Sequence, residues 1–166
     1  MELMNLDNLR KVLEEYAEAV RQEYIANLER DGRPASHQLI DTMTARVEYG
    51  DNAFEVVLNL KEYWKYIEYG TKGWYTGNTS RKFPPVNKIL DWIQIKPVIP
   101  RPDSRGRIPT PQQLAYLIGR KIQQFGTKGR ADLTEAKMNV TERYRQKIAE
   151  ALGHDMKDYI RKIVAK

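Results

Sequence analysis

The chain contains no cysteine, only two histidines, and no apolar run near the roughly 18 to 20 residues needed to span a bilayer. Without cysteine, neither a disulfide framework nor thiolate metal ligation can stabilise the fold, and synthesis in a cytoplasm is compatible. His37 and His154 lie far apart in sequence, so a metal site would need mostly carboxylates. Each is read as a surface or boundary residue, and neither a metal nor a cofactor is expected. Also missing are a glycine-rich phosphate loop, a nucleophile elbow and a zinc-hydrolase motif. Glu62, Glu68 and Asp91 could be drawn as an acid-base group, but in a chain that is 30% charged, scattered carboxylates are read as solvated. No enzyme is expected. Residues 1–10 alternate acidic with apolar positions and lack a basic start followed by an apolar run, so no signal peptide and no membrane association are expected.

What is present suits one folded domain: 166 residues, 41% of them hydrophobic, with 10 tyrosines and 3 tryptophans. The net charge of +6 is unevenly spread. Residues 1–69 carry 8 basic and 14 acidic side chains, residues 70–109 carry 8 and 2, and residues 110–166 carry 12 and 6. An acidic beginning followed by a basic remainder can steer association with nucleic acid or with an oppositely charged protein face.

Apolar residues recur every three or four positions from Leu6 to Leu28, which predicts an amphipathic helix from Asp7 to about Leu28, capped by Asn5 or Asp7 and ended at Asp31-Gly32-Arg33-Pro34. β-Branched and aromatic residues at 42–49 and 53–60 flank Gly50-Asp51-Asn52 and predict a hairpin. Its Phe54, Val56 and Leu58 share one face, and Glu55, Val57 and Asn59 the other. A short helix over 61–69 ends at Gly70, and a polar loop over 71–81 holds Trp74 and Tyr75. Pro84-Pro85 opens a helix to about Ile95. Residues 96–109, with four prolines among Arg101, Arg105 and Arg107, predict an extended loop. Thr110-Pro111-Gln112-Gln113 reads as a capping box opening a helix to Phe125, stopped by Gly126. From Asp132 to about Ala165 the helical period returns, with Gly153 as the expected bend or break. The expected class is α+β: a small antiparallel β-sheet packed with several α-helices, the last of them long.

Two segments echo each other. Tyr69-Gly70-Thr71-Lys72-Gly73 and Phe125-Gly126-Thr127-Lys128-Gly129 both set an aromatic residue before Gly-Thr-Lys-Gly. Read as paired turns, they let the chain reverse sharply while the aromatic packs back on the core, and they make residues 70–109 an excursion between two anchored points. Within it, Trp74, Tyr75, Arg81, Lys82 and Phe83 interleave aromatics with positive charge. These residue types stack on bases and pair with phosphates, and they are also enriched at protein interfaces.

The succession of elements resembles the neck, or tail-completion, proteins of tailed bacteriophages, the head-tail joining proteins often described as minor tail components. An N-terminal helix and hairpin are followed by Ile67-Glu68-Tyr69-Gly70-Thr71, a proline-led helix with a tryptophan from Pro85 to Ile95, and Leu117-Ile118-Gly119-Arg120-Lys121-Ile122 closing on the second Gly-Thr-Lys. Where the family often has Pro-Phe next, this chain has Ala131-Asp132-Leu133, and the helix beyond, residues 132–166, is an extension. The resemblance implies a single tail-completion-like domain over 1–166 and a structural virion protein without catalysis, made in a host cytoplasm. It implies a homo-oligomeric ring, six-fold or twelve-fold, between portal or adaptor and tail proteins, around a DNA channel where non-specific contact with DNA is open. Trp74, Tyr75, Arg81, Lys82, Phe83, Arg101, Arg105 and Arg107 are the candidate interface residues. The alternative is a basic nucleic-acid-binding module.

Overall fold

The computed structural model describes residues 5–30, 38–50, 53–96, 98–102 and 104–165. The fold is α+β, and its contacts gather into two compact units: Met1–Trp64 with Ala131–Lys166, and the inserted Lys65–Arg130.

In the first unit, the apolar stripe of α1 (Asp7–Arg30) lies antiparallel along α6 (Asp132–Val164). Leu9, Ala17, Val20, Tyr24 and Leu28 from α1 and Ala136, Val140 and Ala151 from α6 are buried. Each of the larger side chains contributes roughly 1.5 to 3 kcal/mol by leaving water. Polar anchors fix the register at both ends. The Asn27 side chain donates from Nδ2 to the Asp132 carbonyl at 3.0 Å. At the other end the Asp155 carboxylate accepts from the Leu9 amide at 2.8 Å and from the Asn8 amide and side chain at 3.2 and 2.7 Å. The first-turn amides of α1 are therefore capped by a residue of α6; Asn5 donates to Asp7 instead. α6 runs unbroken through Gly153, because surrounding helical hydrogen bonds outweigh the roughly 1 kcal/mol a helical glycine costs. The predicted stop of α1 at residues 31–34 and His37 lie outside the described residues.

After the single turn α2 (Gln38–Asp41), strands β1 (Thr44–Tyr49) and β2 (Phe54–Asn59) pair antiparallel, with Thr44 opposite Asn59 and Tyr49 opposite Phe54. Phe54, Val56 and Leu58 share a half-buried face, and the hairpin packs on α1. There Glu14 accepts from Tyr49 Oη at 3.0 Å and Arg10 Nε at 3.1 Å. Those hydrogen bonds, Arg10 first, hold the Glu14 carboxyl below the usual carboxylate range.

The second unit begins within α3 (Trp64–Tyr69) and is built on α4 (Val86–Ile95) packed against α5 (Pro111–Phe125). The capping box at the start of α5 is formed: the Thr110 hydroxyl accepts from the Gln113 amide and the Gln113 side chain from the Thr110 amide. Ile89 and Ala115 are buried between these helices, and Gly119 leaves the space that the Phe83 ring fills, since a β-carbon there would stand 2.7 Å from Phe83 Cζ.

Candidate functional site

The segment over 71–81 is not a plain loop. Gly70–Lys72 forms a strand, β3, and Trp74–Thr76 a turn of 3-10 helix. β3 pairs antiparallel with β4 (Gly126–Lys128), with Gly70 opposite Lys128, Thr71 opposite Thr127 and Lys72 opposite Gly126. The two Gly-Thr-Lys-Gly echoes are therefore partners, and they clasp together the two ends of the segment between them.

The clasp has near two-fold symmetry, which explains why the same tetrapeptide occurs twice. A β-carbon on Gly70 would lie 2.2 Å from the Thr127 carbonyl oxygen, and one on Gly126 would lie 1.8 Å from that of Thr71. At the closing glycines the obstacle is again backbone: Gly73 meets residues 124–126 and Gly129 meets residues 68–70, at 2.3 to 2.6 Å. Gly70 and Gly126 also have φ of 67° and 78°. On one face of the ladder the Thr71 and Thr127 hydroxyls stand 2.8 Å apart, and Thr71 Oγ1 also accepts from the Thr127 amide at 3.1 Å. On the other face each lysine, Lys72 and Lys128, sits across from a glycine, and both are exposed.

This backbone-to-backbone approach corrects one expectation. The aromatic residues before the glycines do not pack back on a core: Tyr69 is 72% exposed and Phe125 53%. The interior of the clasp is filled by main chain and has no volume for a ring. Phe125 instead meets the exposed Tyr75 ring, 5.5 Å between centroids. The buried member of this stretch is Glu68, whose carbonyl accepts from the Arg130 amide at 3.0 Å and extends the clasp by one bond.

The candidate interface residues divide into two groups. Arg81 and Phe83 are half-buried fittings of the unit. Arg81 Nη1 donates to the Lys72 carbonyl at 2.9 Å, and its own carbonyl accepts from the Trp74 indole at 3.0 Å and from Gln123 at 3.3 Å. The Phe83 ring stacks on Tyr116 at 5.5 Å. Trp74, Tyr75, Lys82, Arg101, Arg105 and Arg107 are exposed. Arg101 and Arg107 edge an open groove of about 730 Å³ floored by Ile108, Pro109, Tyr116 and Leu117, with Gln112 and Gln113 alongside. Ile108 is 65% exposed, and Tyr116 and Leu117 are about half exposed. Sequence reading missed these apolar members. Tyr116 lies among the apolar positions Leu114, Leu117 and Ile118, and only the fold shows that Tyr116 and Leu117 face outward while Ala115 and Gly119 face in.

Charge divides between the two units as well as along the linear chain. Residues 65–130 hold 13 basic and 3 acidic side chains, a balance of +10, while the rest holds 15 and 19, a balance of −4. Of the three acids in the basic unit, Glu68 is buried, Asp103 lies outside the described residues, and Asp91 is exposed. Among the described residues, no group of three or more histidine, aspartate or glutamate side chains is placed to hold a metal ion, and no helix is long and apolar enough to cross a membrane. Compared with family models, curated proteins and solved structures, the chain matches none.

Proposed function

We propose that this chain is a structural subunit of a tailed-phage particle, a neck or tail-completion protein without catalytic activity. It assembles into a ring that joins portal or adaptor to tail around the DNA channel, and its place is the virion. The observation that carries the reading is the division of charge: one unit at −4 and the other at +10, the latter bearing an arginine-edged groove whose apolar floor is uncovered. Aromatic, aliphatic and arginine side chains together in an open groove have the composition of an interface centre. Two unlike surfaces on one chain suit heterologous contact, in which a patch on one copy meets a different patch on the next. Such contacts close into rings when the rotation permits. The order of motifs from the first helix through the second Gly-Thr-Lys supports assignment to a phage neck rather than to another ring.

Light scattering across concentration, with negative-stain imaging, is the test. A closed particle several times the 19.4 kDa chain mass is expected. Reversing Arg101, Arg105 and Arg107 to glutamate is expected to shift that particle toward monomer, because like charges then face each other across the contact. Assembly unchanged by the triple reversal refutes the charge-directed contact. A chain that stays monomeric alone and with portal or adaptor proteins refutes the ring.

A further inference from the structure

We infer that the inserted unit, residues 65–130, binds nucleic acid through its backbone phosphates, without regard to sequence, and that the lysine face of the clasp is part of the contact. The inference goes beyond the ring reading and does not rest on it.

Ten cationic side chains of this unit are exposed: Lys65, Lys72, Lys82, Lys88, Lys121 and Lys128, and Arg101, Arg105, Arg107 and Arg120. Against them stands one exposed acid among the described residues, Asp91. By count, three acids against thirteen basic side chains leave the unit at a net +10, and the first unit at −4 offers too little charge to balance it. The kind of cation matters as much as the number. Lysine is depleted where proteins meet proteins, whereas a mobile ammonium on a flexible stem is well suited to a phosphate. Six of the ten are lysines.

Lys72 and Lys128 are presented together from paired backbone. Their backbones are locked in the three-residue ladder, both side chains leave the same face, and each stands diagonal to the other across a glycine that offers no side chain to cover it. Diagonal neighbours in an antiparallel ladder lie roughly 7 to 8 Å apart. Neither lysine forms an ion pair among the described residues. Nearby, the exposed Tyr69 and the Tyr75–Phe125 pair provide apolar ring faces beside the positive charge. Such rings would add base stacking if the bound strand were single. The shared chemistry is the phosphate chain, and duplex and single strand are its two sources.

Fluorescence anisotropy of the full chain with a labelled random duplex, a single strand of equal length and, as a charge-matched control, poly-L-glutamate tests this over rising salt. If about four phosphates are neutralised, duplex affinity falls roughly a hundredfold between about 50 and 200 mM salt, by counterion release. Lys72→Gln with Lys128→Gln should lower the slope of log affinity on log salt by about 1.8. Lys137→Gln with Lys157→Gln, exposed cations of the first unit, should leave it unchanged. Tighter binding of duplex or of single strand assigns the source. Poly-L-glutamate binding as tightly as either, no binding at the lowest salt, or a slope indifferent to the clasp lysines overturns the inference. A ring that fails these tests keeps the neck reading and loses this one; a monomer that passes them does the reverse.

Discussion

Replacing Gly126 with alanine adds one methyl group to a chain of 166 residues, and the clasp geometry makes that methyl expensive. The residue sits at φ 78°, ψ −160°, a region essentially reserved for glycine, where an L side chain costs roughly 1 to 3 kcal/mol. Its β-carbon would lie 1.8 Å from the Thr71 carbonyl oxygen, and the nearby obstacles are main-chain atoms of Thr71 and Gly73 that no rotamer change can clear. Relief requires opening the β3–β4 ladder, at about 1 kcal/mol net for each hydrogen bond lost. Together these give about 3 to 5 kcal/mol of destabilisation. Gly153→Ala is the matched control, since it makes the same substitution in mid-helix, where a β-carbon meets nothing within 4 Å. That change should stabilise by about 0.5 to 1 kcal/mol through the unfolded chain's lost freedom. Urea unfolding followed by tryptophan fluorescence is the assay, because Trp74 and Trp92 both lie in the unit the clasp closes. At a slope of about 1 to 3 kcal/mol per molar urea, the Gly126 variant's midpoint should fall by at least about 1 M. A Gly126→Ala loss below about 1 kcal/mol would falsify the account of why the tetrapeptide is repeated.

Two further predictions concern the first unit. Asp155→Ala leaves the buried amide of Leu9 and that of Asn8 without their acceptor and should cost about 2 to 3 kcal/mol, read as a lowered thermal midpoint in circular dichroism. A loss under about 0.5 kcal/mol would mean that the long-range cap is not formed. Hydrogen bonds from Arg21 and then Gln22 hold the Glu18 carboxyl down at about 2, against an ordinary 4.5. A depressed carboxylate stabilises the fold above its unfolded value, and that contribution disappears as pH falls from about 4.5 to about 2. Because Glu18 is half exposed, the contribution is at most about 1 kcal/mol. Glu18→Gln should therefore be less stable than the parent near neutrality and equal to it near pH 2; a stability difference that stays constant with pH contradicts the assignment.

Much of the fold was legible because its signals are local. The three-to-four-residue period of Leu9 to Leu28, the alternation from Phe54 to Leu58 and the Thr110 capping box each place an element within a few residues of its observed bounds. The echo of Gly-Thr-Lys-Gly was visible too, but as two turns. A three-residue strand shows no periodicity, and nothing in either tetrapeptide says that its partner is the other one. Asp155 as the cap of α1 leaves no local trace at all, because its amides are supplied from 146 and 147 positions away. At the candidate site the charged loop residues could be named from composition. That Arg81 turns inward to the Lys72 carbonyl depends on where the fold places β3, and that Tyr116 and Leu117 face outward depends on which side of α5 the fold covers.

The cap that Asp155 places on α1 has a consequence for how the chain is made. Synthesis delivers residues in order, at about 5 to 20 per second, and domains tend to fold as they emerge. Thr127 follows Thr71 by only 56 positions, so the clasp and the unit it closes are complete before any of the central turns of α6 have left the ribosome. During that interval the apolar stripe of α1 has been translated but lacks the cover and the cap that α6 supplies. α1 is thus made early and finished late, and each nascent chain passes through a stage in which the stripe that α6 will cover is still open.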